Sequence, residues 1–489
     1  MGMNHEGHCG RWLDSRGLTR RQMLQLSGSG FGSVALAGLL GSEAQAGQGT
    51  LPGPHFAPRA KQVIWLFMGG GPSHIDTFDP KPALVKHHRE EIPVKLPANL
   101  RDGSKKILAS PFSWKRYGQS GLPVSELLPE MGKVADELCV VRSMHCDSID
   151  HTGATLQTFT GMVSLPRPGI GCWLLHGLGS ENDNLPGYIV MGPDQQSGTA
   201  TYSSRFLPAR NQGTKVEWDP KKLADARTAM PNLKNRGDLS VDQQRKQLDL
   251  LKRLNLWHLK DREQRDALNA RADAFELAFR MQAAAPEAFE IHSESEATKR
   301  LYGLDSEGTK SFGTRCLLAR RMVERGVRFV QIQCGKGDGL DWDQHGQLEK
   351  GHRRNSASTD RPVAGLIQDL KLRGLLDETL VIWGGEFGRT PVVEMPKEGS
   401  NQGKMNGRDH NHYGFTCWMA GGGVKGGQAV GATDELGFQA VENRVHVHDL
   451  HATILRLLGY DHERLTYRYA GRDFRLTDVH GKVIKDIFS

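Results

Sequence analysis

Beyond residue 46 the chain has no apolar stretch approaching the ~18 residues that a membrane-spanning helix needs. It has no CxxC pair among its seven cysteines, which speaks against a zinc ribbon or a redox dithiol. It has no dense Lys/Arg run either. The 63 basic residues are nearly balanced by 56 acidic ones, and a net charge of +7 on 489 residues indicates no nucleic-acid footprint. No internal repeat is visible. What is abundant is glycine, at 58 residues, with 38% apolar and 24% charged residues: a soluble, loop-rich globular chain of one large or two unequal domains.

The first 46 residues read as an address. TRRQMLQL (Thr19–Leu26) carries paired arginines, and SGSGFGSVALAGLLG is a short, Gly-rich apolar run. It ends at Ala44-Gln45-Ala46, a small-x-small site that suits a signal peptidase. This is the pattern of a twin-arginine export signal. The expected mature chain, 47–489, is periplasmic or extracellular, with no transmembrane anchor and the twin-arginine machinery as a partner. Its six cysteines (Cys139, Cys146, Cys172, Cys316, Cys334 and Cys417) are widely scattered. Oxidising surroundings permit disulfides, but buried thiols on strands and helices are the plainer expectation.

Near-continuous apolar runs occur at Gln62–Met68, Leu138–Val141, Val327–Gln333, Thr379–Trp383 and Phe415–Ala420. Such runs suit strands buried on both faces of a parallel sheet. Helical patterns lie between them, including Arg361–Gly374 and Asp449–Leu458. The alternation predicts an α/β fold: a mainly parallel sheet sandwiched by helices. Residues 240–290 are strongly charged, with Leu, Trp and Phe at helical spacing, and predict a helical insertion that packs on the sheet domain or forms a lid. The tail, YRYAGRDFRLTDVHGKVIKDIF, predicts short strands and a small helix.

Polar clusters follow the predicted strands, where open α/β sheets place ligand sites. GGGPSHIDTFDPKP holds His74 and Asp76. HCDSIDHTG holds Asp150, His151 and Thr152. GKGDGLDWDQH holds Asp341, Asp343 and His345. GGEFGRTP holds Glu386 and Arg389, and GRDHNHYG, ahead of the last run, holds Asp409, His410 and His412. In DWDQH, a helical turn would put Asp341 and His345 on one face, whereas extended backbone would pair Asp343 with His345. Either pair offers a carboxylate and an imidazole to one divalent ion. For an isolated DxxxH, a capping Asp beside a surface His is the blander alternative. Glu386 could ligate or pair with Arg389, and Arg389 could instead fork onto an anionic substrate. In HVHDLHATIL, Asp449 reads as an N-cap, and His446, His448 and His451 as packing or supporting groups.

These segments together resemble the alkaline phosphatase/sulfatase superfamily. KQVIWLFMGGG is similar to its opening strand, DHTGATLQTFTG to its nucleophile helix, DETLVIWGGEFGRT to its "TLVI…DH" strand, and FTCWMAGGGVKGG and VHVHDLHATILRLLG to the closing strand and helix. GGGPSHIDTFDPKP, WDQH, DLKLRGLLDETLVIWGGEFGRTP and RLTDVHGKVIKDI resemble more closely a sulfatase-like, twin-arginine-exported bacterial family of unknown function. The resemblance implies an alkaline-phosphatase-like core. It places one metal centre on Asp341 or Asp343, His345 and His412. In a second centre Gly69 and Phe387 stand where ligands belong, Glu386 can still coordinate, and Asp76 or His74 could complete it. Asp409, His410 and His448 are supporting or alternative ligands. The nucleophile position falls on His151, with Thr152 next.

A formylglycine sulfatase needs Cys-x-Pro/Ala-x-Arg, and Cys316-Leu-Leu-Ala-Arg320 does not fit. The implied activity is an exported metal-dependent hydrolase of phosphate or sulfate esters, small or polysaccharide. Zn²⁺ or Mn²⁺ suits the ligands best, with Ca²⁺ an alternative. Water activated at the metal, or Thr152, would attack, with His151 as base or ligand and Arg389 neutralising the anion. The rival is a degenerate relative that binds anionic polysaccharide without turnover.

Overall fold

The computed structural model describes residues 53–93, 105–217, 230, 233, 239–259, 265–394 and 405–489. The twin-arginine segment and its Ala44-Gln45-Ala46 site lie outside the described residues. The strands that position the site are β1 (Gln62–Met68), β2 (Cys139–His145), β3 (Tyr188–Met191), β4 (Thr214–Lys215), β5 (Phe329–Cys334), β6 (Thr379–Gly384), β7 (Gly388–Val393), β8 (Arg408–Asn411), β9 (Phe415–Ala420), β10 (Gln428–Val430) and β11 (Val445–His446). The main helices are α1 (His151–Thr160), α2 (Ile170–Leu178), α3 (Val241–Leu259), α4 (Arg265–Phe289), α5 (Glu307–Glu324), α6 (Leu348–Leu372) and α7 (Val447–Leu457).

One large sheet runs β10-β2-β9-β6-β1-β5-β3-β4, with β11 also pairing β2. Its pairs are parallel except those made by β9, which runs antiparallel to β2 and β6. The fold is therefore α/β with a mainly parallel sheet. Every residue of β1 is buried because the strand is covered on both faces. Ile64, Leu66 and Met68 join a core with α5 and α6. Val63, Trp65 and Phe67 join a second core with α1, α2 and α7. Fully burying one such side chain stabilises the fold by about 1.5–3 kcal/mol.

The helices expected over 240–290 are α3 and α4, tied by Arg245 to Glu276 at 2.6 Å. The tail pairs Tyr467–Tyr469 with Arg472–Phe474 and ends in a short 3₁₀ turn at Lys485–Ile487. No helix among the described residues is long and apolar enough to cross a membrane. All six cysteines of the described residues are free and buried.

Helix α6 starts well before the predicted Arg361. Its first half, LEKGHRRNSASTDR, buries Asn355, Ser356, Thr359 and Asp360, so the inward face is polar and shows no apolar period. Asn355, Thr359 and Asp360 have partners there. Asn355 Nδ2 donates to the Asp341 carbonyl at 2.6 Å, and Asp360 accepts the Glu130 and Met131 amides at 2.8 Å each.

Candidate metal centre

β1, β2, β5 and β6 end at the same edge of the sheet, and β9, running the other way, begins there. The segments after β1, β2, β5 and β6, and the segment before β9, therefore meet on one rim. At the end of β1 the chain turns through Gly70 at φ +108°, where a Cβ would stand 2.5 Å from Asp343 N and 2.7 Å from Asp341 Oδ1. Only glycine lets the loop carrying Asp341 and Asp343 pack this closely.

Asp343 Oδ1 is the hub. It lies 2.9 Å from His345 Nε2, 3.1 Å from His410 Nε2, 3.3 Å from His151 Nε2 and 2.7 Å from Arg389 Nη2. His151, Asp343, His345 and His410 each bring a ligand atom within 4.8 Å of the others. The far nitrogen of each ring is held by an acceptor. His151 Nδ1 is 2.5 Å from Glu386 Oε1, His410 Nδ1 is 2.8 Å from the Ile149 carbonyl, and His345 Nδ1 bonds Glu394. Each Nδ1 thus carries hydrogen, and in the neutral ring the Nε2 lone pair points inward. Three lone pairs and a carboxylate oxygen at such distances call for positive charge, which the Arg389 guanidinium, ring protons or a bound cation can supply. Ligand atoms ~2.0–2.1 Å from one ion stand roughly 3.0–3.4 Å apart, close to the 2.9–3.3 Å that separates Asp343 Oδ1 from the three Nε2 atoms. The residues therefore fit a divalent metal.

The electrostatics show the same demand for positive charge. Burial would lower the His151 imidazole, but its bonds to Asp343 and Glu386 raise it to about 9. Burial is likewise outweighed at His345, which Asp343 and Glu394 raise. His410 is the exception: burial carries it down to about 3, a neutral ring ready to ligate. Burial would raise Asp343, but Arg389 and the three imidazoles hold it well below the usual carboxylate range.

The structure brings together part of the predicted set. Asp341 and His345 do not share a helical turn, because residues 341–347 are not helical; the extended alternative pairs Asp343 with His345. Asp341 instead lines the adjoining cavity of about 70 Å³ with His151, Thr155, Gln195, Lys336 and Glu386. His412 lies outside the cluster. Strand β8 ends at Asn411, whose side chain bonds the Gly414 and Phe438 carbonyls and the Tyr413 amide. The turned chain aims His412 Nδ1 at the Cys146 carbonyl, 2.9 Å away. His410, one register step earlier and opposite Arg389, faces the centre instead.

The second centre is not assembled. Asp76 is fully buried against Arg408 (Oδ2 to Nε 2.9 Å), and His74 Nε2 bonds the Gly437 carbonyl at 2.8 Å. Phe387 packs on the rings of His151 and His410, with centroids 4.9 and 4.5 Å apart. Arg389 does not line the cavity. It is fully buried and gives its hydrogens to the Gly70, Gly71 and Arg408 carbonyls and to Asp343. Glu386 is no partner of Arg389; it accepts the Gly70 amide at 2.9 Å and orients His151.

Thr152 is exposed, its hydroxyl 3.4 Å from Gln196 Oε1, while Thr155 lines the cavity one helical turn beyond His151. Asp409 Oδ1 stands 4.0 Å from His345 Nδ1, behind the ring, and His448 belongs to a different cluster with Asp147 and His446. Sequence reasoning missed Glu394, Thr155 and Lys336. For Thr155 the signal was present: it is four residues beyond His151 on a predicted helix.

Among solved structures the chain is similar to the PsFucS1 sulfatase from Pseudoalteromonas sp. (14% identity, 88% of this chain and 72% of that one, TM-score 0.35). It is also similar to the lipoteichoic acid synthase LtaP from Listeria monocytogenes (10%, 88% and 78%, 0.35). A third is a protein in the alkaline phosphatase superfamily from Vibrio parahaemolyticus (10%, 91% and 79%, 0.35). No curated protein matches the chain. Residues 60–488, which include every residue of the centre, match the family described as "Protein of unknown function (DUF1501)", and the chain belongs to that family.

Proposed function

We propose that the protein is a metal-dependent hydrolase of phosphate or sulfate esters with one divalent ion held by His151, Asp343, His345 and His410. The observation that carries this reading is the convergence of three Nε2 atoms on Asp343 Oδ1 with all three Nδ1 atoms held by acceptors. Three imidazoles and one carboxylate favour Zn²⁺ or Mn²⁺ over Ca²⁺, which takes oxygen ligands. When bound, such an ion supplies Lewis acidity to an ester oxygen.

The chain's own residues do the rest. Glu386 holds the His151 ring in one tautomer, and Arg389 fixes Asp343 and the Gly70–Gly71 turn. Lys336, whose Nζ lies 3.5 Å from Asp343 Oδ2 on a mostly exposed side chain, takes the anion-facing role first expected of Arg389. Asp341, at the cavity wall, is placed to accept a proton from an attacking water. Export through the twin-arginine route is part of the same proposal and rests on residues 1–46 alone.

The test is metal analysis of the purified chain, followed by an aryl-phosphate and aryl-sulfate panel with Zn²⁺ and Mn²⁺ added back. A chain that takes up no divalent ion would overturn the proposal. Phe387, standing where a second centre would need a ligand, favours the other reading, a binder of anionic polysaccharide without turnover. Stoichiometric metal with no hydrolysis across the panel would select it.

A further inference from the structure

Behind the β2–α1 connection lies a groove of about 590 Å³ that takes no part in the centre just described. His145, Asp147, His446, His448 and His480 line it. Asp147, His446 and His448 each offer a ligand atom within 4.8 Å of the others. His446 Nε2 lies 3.2 Å from Asp147 Oδ2, and the His446 and His448 rings stack with centroids 4.9 Å apart. His448 is 3% exposed, yet its Nδ1 is buried without a hydrogen-bond partner. An imidazole placed so deep normally has both nitrogens accounted for. We propose that Asp147, His446 and His448 form a second, separate site for a divalent transition ion, with its remaining coordination positions open to the groove.

Two imidazoles and one carboxylate with open positions are a ligand set that borderline ions such as Zn²⁺, Ni²⁺ and Cu²⁺ accept. The surroundings prepare it. The Gln157 side chain holds Asp147 at both ends, accepting its amide at 2.9 Å and donating to its carboxylate. His446 begins α7, where its Nδ1 accepts the His448 amide over a long 3.2 Å. Ligation through Nε2 moves the ring proton to Nδ1 and gives up that contact. The helix start keeps its other tie, the 2.8 Å bond from His446 N to Asp449. Arg444 and Lys482 stand exposed on the rim, where solvent screens their charge. An ion here would fasten α7 to the loop that leads into His151 at the start of α1, bracing the first centre from behind.

The experiment titrates Zn²⁺ into a His345→Ala/His410→Ala chain, in which the first centre is disabled, and follows stoichiometry by calorimetry and Co²⁺ substitution by its visible d–d absorption. One equivalent should remain. Adding Asp147→Asn or His448→Ala should weaken it at least tenfold and abolish the cobalt signal. Asp147 is largely exposed, so Asp147→Asn decides the matter even if a His448 variant folds poorly. Absence of a stoichiometric ion in the double variant, or unchanged binding after Asp147→Asn, would overturn the site. The two proposals fail separately: were the first centre not a metal site, wild-type chain would still bind one ion, sensitive to Asp147 and insensitive to His410.

Discussion

Glu386 Oε1 lies 2.5 Å from His151 Nδ1, and the same carboxylate accepts the Gly70 amide at 2.9 Å. One side chain therefore joins the end of β1 to the start of α1 and sets which nitrogen of His151 faces the centre. Carboxylates in this position raise ligand basicity and fix ring orientation. Glu386→Gln should weaken Zn²⁺ binding by roughly 10–100-fold while leaving the fold intact. Competition with a chromophoric chelator measures this, and an unchanged affinity would remove Glu386 from the supporting role.

His410 and His412 make opposite predictions. His410→Ala removes one of the converging Nε2 atoms and should abolish stoichiometric metal at the first centre. His412→Ala should leave metal content unchanged, because its ring is turned to the Cys146 carbonyl. Elemental analysis of the two variants in an Asp147→Asn background reads the first centre by itself. The reverse ranking would restore the ligand set suggested by spacing.

Arg389 should behave as a structural residue. Its fully buried guanidinium holds three carbonyls and Asp343. Arg389→Ala leaves those acceptors and a buried carboxylate uncompensated, a loss on the order of 3–5 kcal/mol. Chemical denaturation reports it directly. A variant of normal stability with impaired substrate binding alone would return Arg389 to the anion-binding role.

Asp360 gives the fold a pH dependence of known sign. Burial raises its carboxyl from 3.8 to about 7, against the two amide hydrogen bonds that it accepts. Between those values the folded chain keeps a proton that the unfolded chain has released, so stability falls as pH rises. The contribution is complete below the unfolded value and is lost as pH climbs through about 7. A group titrating in only one state changes stability by about 1.4 kcal/mol per pH unit at most. The advantage of wild type over Asp360→Ala should therefore be larger at pH 5 than at pH 8 in urea unfolding. A gap that widens toward pH 8 would contradict the assignment.

The central strands were legible because both faces of the sheet are covered, so Gln62–Met68 and Thr379–Gly384 are apolar almost throughout. The rim was legible for the same reason: polar clusters stand out where such runs stop. Which side chains turn inward was harder to read. Asp343 prevails over Asp341 because the segment is not helical, and His410 over His412 because Asn411 ends the strand. Neither follows from spacing. Asp76 and Arg389 stand against scaffold partners, which spacing does not show, since a carboxylate or guanidinium near a site can serve the scaffold as well as a ligand. Their partners, Arg408 and the Gly70–Gly71 carbonyls, lie hundreds of residues away in sequence.

That distance has a kinetic side. His151 meets Glu386 across 235 positions, and His410 reaches Ile149 across 261. Pairings this remote carry a loop-closure cost that local helices do not, and they form late. The inward-facing set of imidazoles does not exist in a partly made chain. It is completed only when the β7–β8 ribbon closes over the rim, which requires the chain to be made beyond Asn411. An ion held there is acquired in whichever compartment the chain finishes folding, and that compartment's metal supply decides which ion it is.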